Sequence, residues 1–172
     1  DFIAGGTGSG NVNHAYVVSL LDGLKNAGFT VDTNLQKAYT DHVKVEKTKA
    51  EAEKEAKIKA DSSYARIARF MPPALAPELT ISTADLQRQA KSSDIAVLTI
   101  GRISGEFADR KQNDFTLSAA EQALIKNVCD AFHAEGKKVV VLLNIGGVIE
   151  TASWKNMPDA ILCAWQGGQE GG

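Results

Sequence analysis

The turn Ser104-Gly105-Glu106 comes directly after the apolar run Asp94-Ile-Ala-Val-Leu-Thr-Ile-Gly101, and Asp109-Arg110-Lys111 follows closely. A carboxylate in such a place has a definite chemical use. It can give a proton to a departing oxygen and then take one from water, acting as general acid and general base in turn. Alone it cannot carry retaining glycoside hydrolysis, which uses a second carboxylate about 5 Å away. Asp109 lies near in sequence, but Arg110 beside it marks a salt-bridge or turn residue. The plain structural reading of Glu106 is a surface acid paired with Arg102, Arg110 or Lys111.

A second stretch with chemical potential is Gly5-Gly-Thr-Gly-Ser-Gly10. Glycines let a backbone come close to a ligand or to another loop. The dinucleotide fingerprint Gly-x-Gly-x-x-Gly is not met, because Asn11 or Asn13 takes the third position in either register. The phosphate-loop pattern lacks its lysine. A nucleotide, a sugar or another polar ligand, and a purely structural turn all remain open readings of this loop. Neither Ser9 nor Ser104 stands in a nucleophile-elbow pattern. Cys129 and Cys163 are far apart and read as buried small hydrophobes; His14, His42 and His133 form no ligand motif. Trp154 and Trp165 are each readable as core or as a sugar platform.

The elements that position these residues follow from periodicity. Asn11 or Asn13 is expected to cap a helix carrying Ala15, Val18, Leu21 and Leu24, closed at Gly28 and followed by a short strand Phe29–Asp32. Lys44 to Lys59 alternates lysine, glutamate and alanine, which predicts an exposed charged helical hairpin over about 33–65. Arg69–Pro77 is an irregular, proline-rich loop. A short helix opens at Ser82 or Thr83. The run 94–101 reads as a strand covered on both faces. Ser118-Ala-Ala-Glu121 is a capping box for a helix with Leu124, Ile125, Val128 and Phe132 on its apolar face. Lys137–Asn144 and Ala160–Trp165 are strands, with a short helix between them over 149–155. Alternating strands and helices imply an α/β fold, a mainly parallel sheet flanked by helices as a three-layer sandwich. Ligands of such sheets bind beyond the carboxyl ends of the strands. Four loops fall there: Gly5–Gly10, Arg102–Arg110, Asn144–Val148 and Gln166–Gly172.

The 172 residues suit one domain, and 44% hydrophobic with 23% charged residues is a globular composition. A net charge of −2 gives no electrostatic basis for binding nucleic acid or an anionic membrane. No apolar run approaches the ~20 residues of a membrane helix. Both ends look cut, and open sheet edges predict self-association.

Four stretches together resemble glycoside hydrolase family 3, the β-glucosidase family: IAGGTGSGNV, IGRISGEFADR, VVVLLNIGGVIE with ASW after it, and AILCAWQGGQEGG. The resemblance is to the family's second, C-terminal α/β sandwich domain and makes residues 1–172 part of that domain. It implies a retaining, exo-acting β-glucosidase that removes terminal β-D-glucosyl residues, with Glu106 as catalytic acid/base and Ser9 as a sugar contact. It also implies a nucleophilic aspartate on a barrel domain of the same polypeptide. No such barrel fits here, since ~200 residues or more would be required. The partners implied are a β-glucoside or oligosaccharide substrate and that barrel. No cofactor, metal, nucleic acid or membrane is implied, and the fragment alone is expected to be inactive. The compartment stays open between bacterial cytoplasm and periplasm. Phe107 stands where many members have glycine. A non-catalytic carbohydrate- or nucleotide-binding α/β module is the rival expectation.

Overall fold

The computed structural model describes residues 2–10, 12–68, 75–106 and 109–172. Its centre is a parallel sheet in the order β1-β2-β3, formed by Ile95–Arg102, Lys138–Ile145 and Ala160–Cys163. Ile95 faces Lys138 at the start of the register and Arg102 faces Ile145 at its end. The carboxyl ends of β1 and β2 are therefore level. The helices are α1 (Leu20–Asn26), α2 (Thr33–Ala60), α3 (Ser62–Ala68), α4 (Thr83–Ser92), the single-turn α5 (Gln112–Phe115) and α6 (Ala119–Ala134).

The core forms because α6 and the strands present apolar residues at matching periods. Leu124, Ile125, Val128, Cys129 and Phe132 lie on one helical face. They meet Val139, Val141, Leu143 and Ile145 of β2 and Leu98 and Ile100 of β1, with Leu86 and Ala90 of α4 closing the layer. Trp154 is 1% exposed and donates its indole N–H to the Glu150 carbonyl at 2.7 Å, so it is a core residue rather than a platform. Ser118 and Glu121 make the expected capping box of α6, and Ser82 caps α4.

Several elements differ from the expectations. The helix after the glycine loop begins at Leu20, not near Asn13; Asn11 lies outside the described residues. Its start is set by a capping box of Ser19 and Asp22. The apolar residues before it run beside the end of the chain instead, with Val18 N–H donating to Gln169 and Gly172 N–H donating to Val18. Phe29–Asp32 is not a strand: the Asp32 carboxylate accepts from the amides of Asn34 and Leu35 and becomes the cap of α2. The expected hairpin is one 28-residue helix followed by α3. No glycine or proline interrupts residues 33–60, so helix propensity runs through unbroken until Asp61. Of the expected loop 69–77, residues 69–74 lie outside the described residues. No helix forms over 149–155, where the chain makes turns. β1 buries only alternate residues, leaving Ile95 and Val97 exposed on its second face. Both-face burial belongs to β2, which is flanked by a strand on each side. Cys129 is buried, and burial pushes its thiol up to about 11. Cys163 is exposed, against expectation.

At the amino end of the sheet, Asp159 gathers three donors: Lys138 Nζ at 2.8 Å, the Val139 amide at 2.8 Å and His133 Nε2 at 2.9 Å. The Lys138 bond first, then those from Val139 and His133, hold its carboxyl well below the ordinary value of 3.8. A depressed carboxylate stabilises the fold above its unfolded pKa and loses that contribution as pH falls through the folded value. Asp159→Asn should therefore lower the melting temperature at pH 7. The gap between variant and parent should narrow as the pH is taken below about 4, as thermal melts at stepped pH will show.

Candidate functional site

The four loops predicted to share one edge do meet there. Thr7 pairs with Gly105 as an isolated parallel bridge, and Thr7 N–H donates to the Ser104 carbonyl at 3.2 Å. Ser104 Oγ donates to the Gly146 carbonyl at 2.5 Å, linking the loops after β1 and β2. The Gly168 amide donates to the Ala4 carbonyl at 2.8 Å, joining the last loop to the first.

Two buried polar side chains hold this edge. Asn144, fully buried in β2, accepts from the Ile3 amide at 2.7 Å. It donates to the carbonyls of Ile3 at 2.9 Å and Trp165 at 2.7 Å. Its amide thus pairs two neighbouring segments that no ladder reaches. Arg102 ends β1 and places all its N–H groups: two on the Glu121 carboxylate at 2.6 and 2.8 Å, and the others on the carbonyls of Gly101, Asp114 and Thr116. Burial alone would raise the Glu121 carboxyl; the bonds from Arg102 and the Ser118 amide outweigh it and hold it below its ordinary value. Glu121 and Arg102 in turn favour each other's charged forms. Arg110 bonds Asp114 at 2.6 Å and the Val148 carbonyl at 2.6 Å, tying the segment after Glu106 to the loop after β2.

This arrangement corrects the structural reading of Glu106. Arg102 pairs with Glu121 and Arg110 with Asp114, so neither neutralises it, and among the described residues no ion pair joins it to Lys111. Glu106 is exposed, and Oε1 accepts from the Ser9 amide at 3.2 Å. Ser9, the second expected site residue, is itself exposed and adjoins Glu106 through its backbone. Phe107 lies outside the described residues. Trp165 is 52% exposed and takes a left-handed φ of 55°, a conformation its Asn144-bound carbonyl secures. Gln166 turns its amide nitrogen inward, buried and without a partner among the described residues. Thr7, Asn144 and Gln166 went unnoticed in the sequence. Only Asn144 carried a signal, as a lone amide closing the run Val-Val-Val-Leu-Leu.

A carboxylate on an exposed turn, backed by a glycine loop that donates an amide to it, can exchange protons with a ligand at the sheet edge. The glycosyl hydrolase family 3 C-terminal domain matches residues 2–172. The chain belongs to that family. Among curated relatives it is similar to a beta-glucosidase of Ruminococcus albus, 33% identical over all of this chain and 17% of the relative. Among solved structures it is similar to beta-glucosidase 3B from Thermotoga neapolitana in complex with glucose, with TM-score 0.80 and 43% identity over 99% of this chain and 22% of that one. A beta-glucosidase from Paenibacillus barengoltzii is similar at TM-score 0.76 and 27% identity, over 100% of this chain and 18% of that one. The chain therefore spans about a fifth of these proteins' length.

The loop contacts make glycine obligatory at some positions and not at others. A Cβ on Gly105 would stand 2.3 Å from both the amide nitrogen and the hydroxyl of Thr7, whereas one on Gly10 would meet nothing within 4 Å. Gly105→Ala should cost about 1–3 kcal/mol and open the edge to amide exchange, while Gly10→Ala should change melting by less than about 0.5 kcal/mol. Thermal melts and hydrogen exchange on the pair of variants check this.

Proposed function

We propose that this chain is the acid/base-supplying domain of a retaining, exo-acting β-glucosidase that removes terminal β-D-glucosyl residues. The observation that carries the reading is the placement of Glu106. It is an exposed carboxylate beyond the carboxyl end of β1, free of either neighbouring arginine and held by the glycine loop, in a chain matched end to end by the family. The nucleophile is an aspartate on a barrel domain of the same, longer polypeptide, and Ser9 contacts the sugar beside Glu106.

On this reading the aspartate attacks the anomeric carbon while Glu106 gives its proton to the departing glycosidic oxygen. Water then enters, Glu106 takes its proton, and the glycosyl ester on the aspartate is released as the β-sugar. The site needs no metal for either proton transfer. Without the barrel surface the chain binds no sugar productively and is inactive.

Glu106→Ala in the full-length polypeptide should slow hydrolysis of alkyl β-glucosides by about 10²–10⁴-fold, the usual worth of general acid catalysis. Activated aryl β-glucosides should lose less in the first step, and added azide should restore turnover and yield β-glucosyl azide. Wild-type rates on all substrates would remove Glu106 from the mechanism.

A further inference from the structure

A proton donor on an exposed turn acts only if the turn is held, because a displacement of about 1 Å costs on the order of 10²-fold in rate. Glu106 is the last described residue before Phe107, and the described contacts that fix it come from the glycine loop. We propose that Thr7 is a positioning residue for Glu106, its amide and hydroxyl gripping the backbone on both sides of Gly105 so that the Ser9 amide meets the carboxylate. This rests on the reading of Glu106 as the acid/base.

The geometry is specific. Thr7 is 8% exposed. Its N–H donates to the carbonyl of Ser104 at 3.2 Å and its Oγ1 donates to the carbonyl of Glu106 at 3.2 Å. The two bonds span the Ser104–Glu106 turn, and the absence of a side chain on Gly105 lets Thr7 come this close. Two residues further on, the Ser9 amide reaches Glu106 Oε1. Between them Gly8, at φ 65°, passes so near that a Cβ on it would stand 2.7 Å from the Glu106 Cβ. The loop thus touches Glu106 at its carbonyl, its Cβ and its carboxylate. Of these contacts only the hydroxyl bond depends on a side chain of the loop. A hydrophobic residue of the same shape at position 7 would keep the packing and the amide bond, and would leave the Glu106 carbonyl unpaired.

The test compares Thr7→Val, Thr7→Ser and Glu106→Gln in the full-length polypeptide, each against an alkyl β-glucoside and a dinitrophenyl β-glucoside. The readout is the ratio of kcat/KM on the two substrates, which reports the first step for both and does not depend on how much of a variant is folded. Thr7→Val should lower kcat/KM on the alkyl glucoside by about 10–100-fold and on the dinitrophenyl glucoside by less than about 3-fold. Thr7→Ser, which keeps the hydroxyl, should recover most of the ratio. Equal losses of Thr7→Val on both substrates, or a serine variant no better than the valine one, would overturn the proposal. Glu106→Gln separates the two ideas. If it lowers the ratio and Thr7→Val does not, positioning by Thr7 fails and the acid/base reading stands. If Glu106→Gln leaves the ratio at the wild-type value, both fall together.

Discussion

Where a parallel sheet stops, its last amides and carbonyls must still find partners, because a buried polar group left unpaired costs as much as a lost hydrogen bond. The loops of this protein are arranged around that constraint. Asn144 meets it at the centre of the edge. Its amide is isosteric with a peptide group, and it binds Ile3 as a strand neighbour would while also holding the carbonyl of Trp165. One fully buried side chain thus fixes the first loop and the last relative to β2. Arg102 does the same at the end of β1, using the carbonyls of Gly101, Asp114 and Thr116 and the carboxylate that opens α6. A buried ion pair of this kind is weak evidence for stability in general. Here its geometry makes it a clamp on the segment between β1 and α6, which contains Glu106.

The same logic explains why the approaching loops are rich in glycine. Thr7 and Gly105, Gly8 and Glu106, and Ser104 and Gly146 are each packed more tightly than any side chain at the glycine would allow. At each contact the glycine brings backbone close to the partner, whether that partner is the Thr7 backbone and hydroxyl, the Glu106 side chain or the Ser104 hydroxyl. Glu106 stands clear of Arg102 and Arg110 despite their nearness in sequence. Those cations are occupied by Glu121 and Asp114, each of which also belongs to the helical segment that follows.

The central layer was legible because its signals are local and agree with one another. The capping boxes, the apolar runs of β1 and β2 and the i, i+4 face of α6 each point to the same element. The misreadings occurred where a tertiary contact outbid local pattern. Ala15 and Val18 have helical spacing, but the backbone of Val18 is taken by Gln169 and Gly172. Phe29-Thr-Val has strand composition, yet Asp32 serves better as a cap for the long helix that follows. The site was legible in part. The strand-end rule brought the four loops together, and the resemblance singled out Glu106 and Ser9. Thr7 and Gln166 were invisible, because their roles arise from residues about 100 and 160 positions away along the chain that fold brings alongside.

The exposure of Glu106 carries a last consequence for the proposed mechanism. A general acid in open water competes with solvent for every proton it moves, and the electrostatic work of a site depends on excluding that solvent. Among the described residues, the contacts to the carboxylate come from the glycine loop on one side. On the proposed mechanism the opposite side is closed by another surface, with the substrate as the bridge between the two. A domain that contributes one proton carrier on a clamped turn, and leaves nucleophile and most sugar contacts to a facing barrel, is then a complete half of such a site. The rigidity built into the edge by Asn144, Arg102 and Thr7 has a reason on this view: a half-site can meet its counterpart only if its one reactive group is already in place.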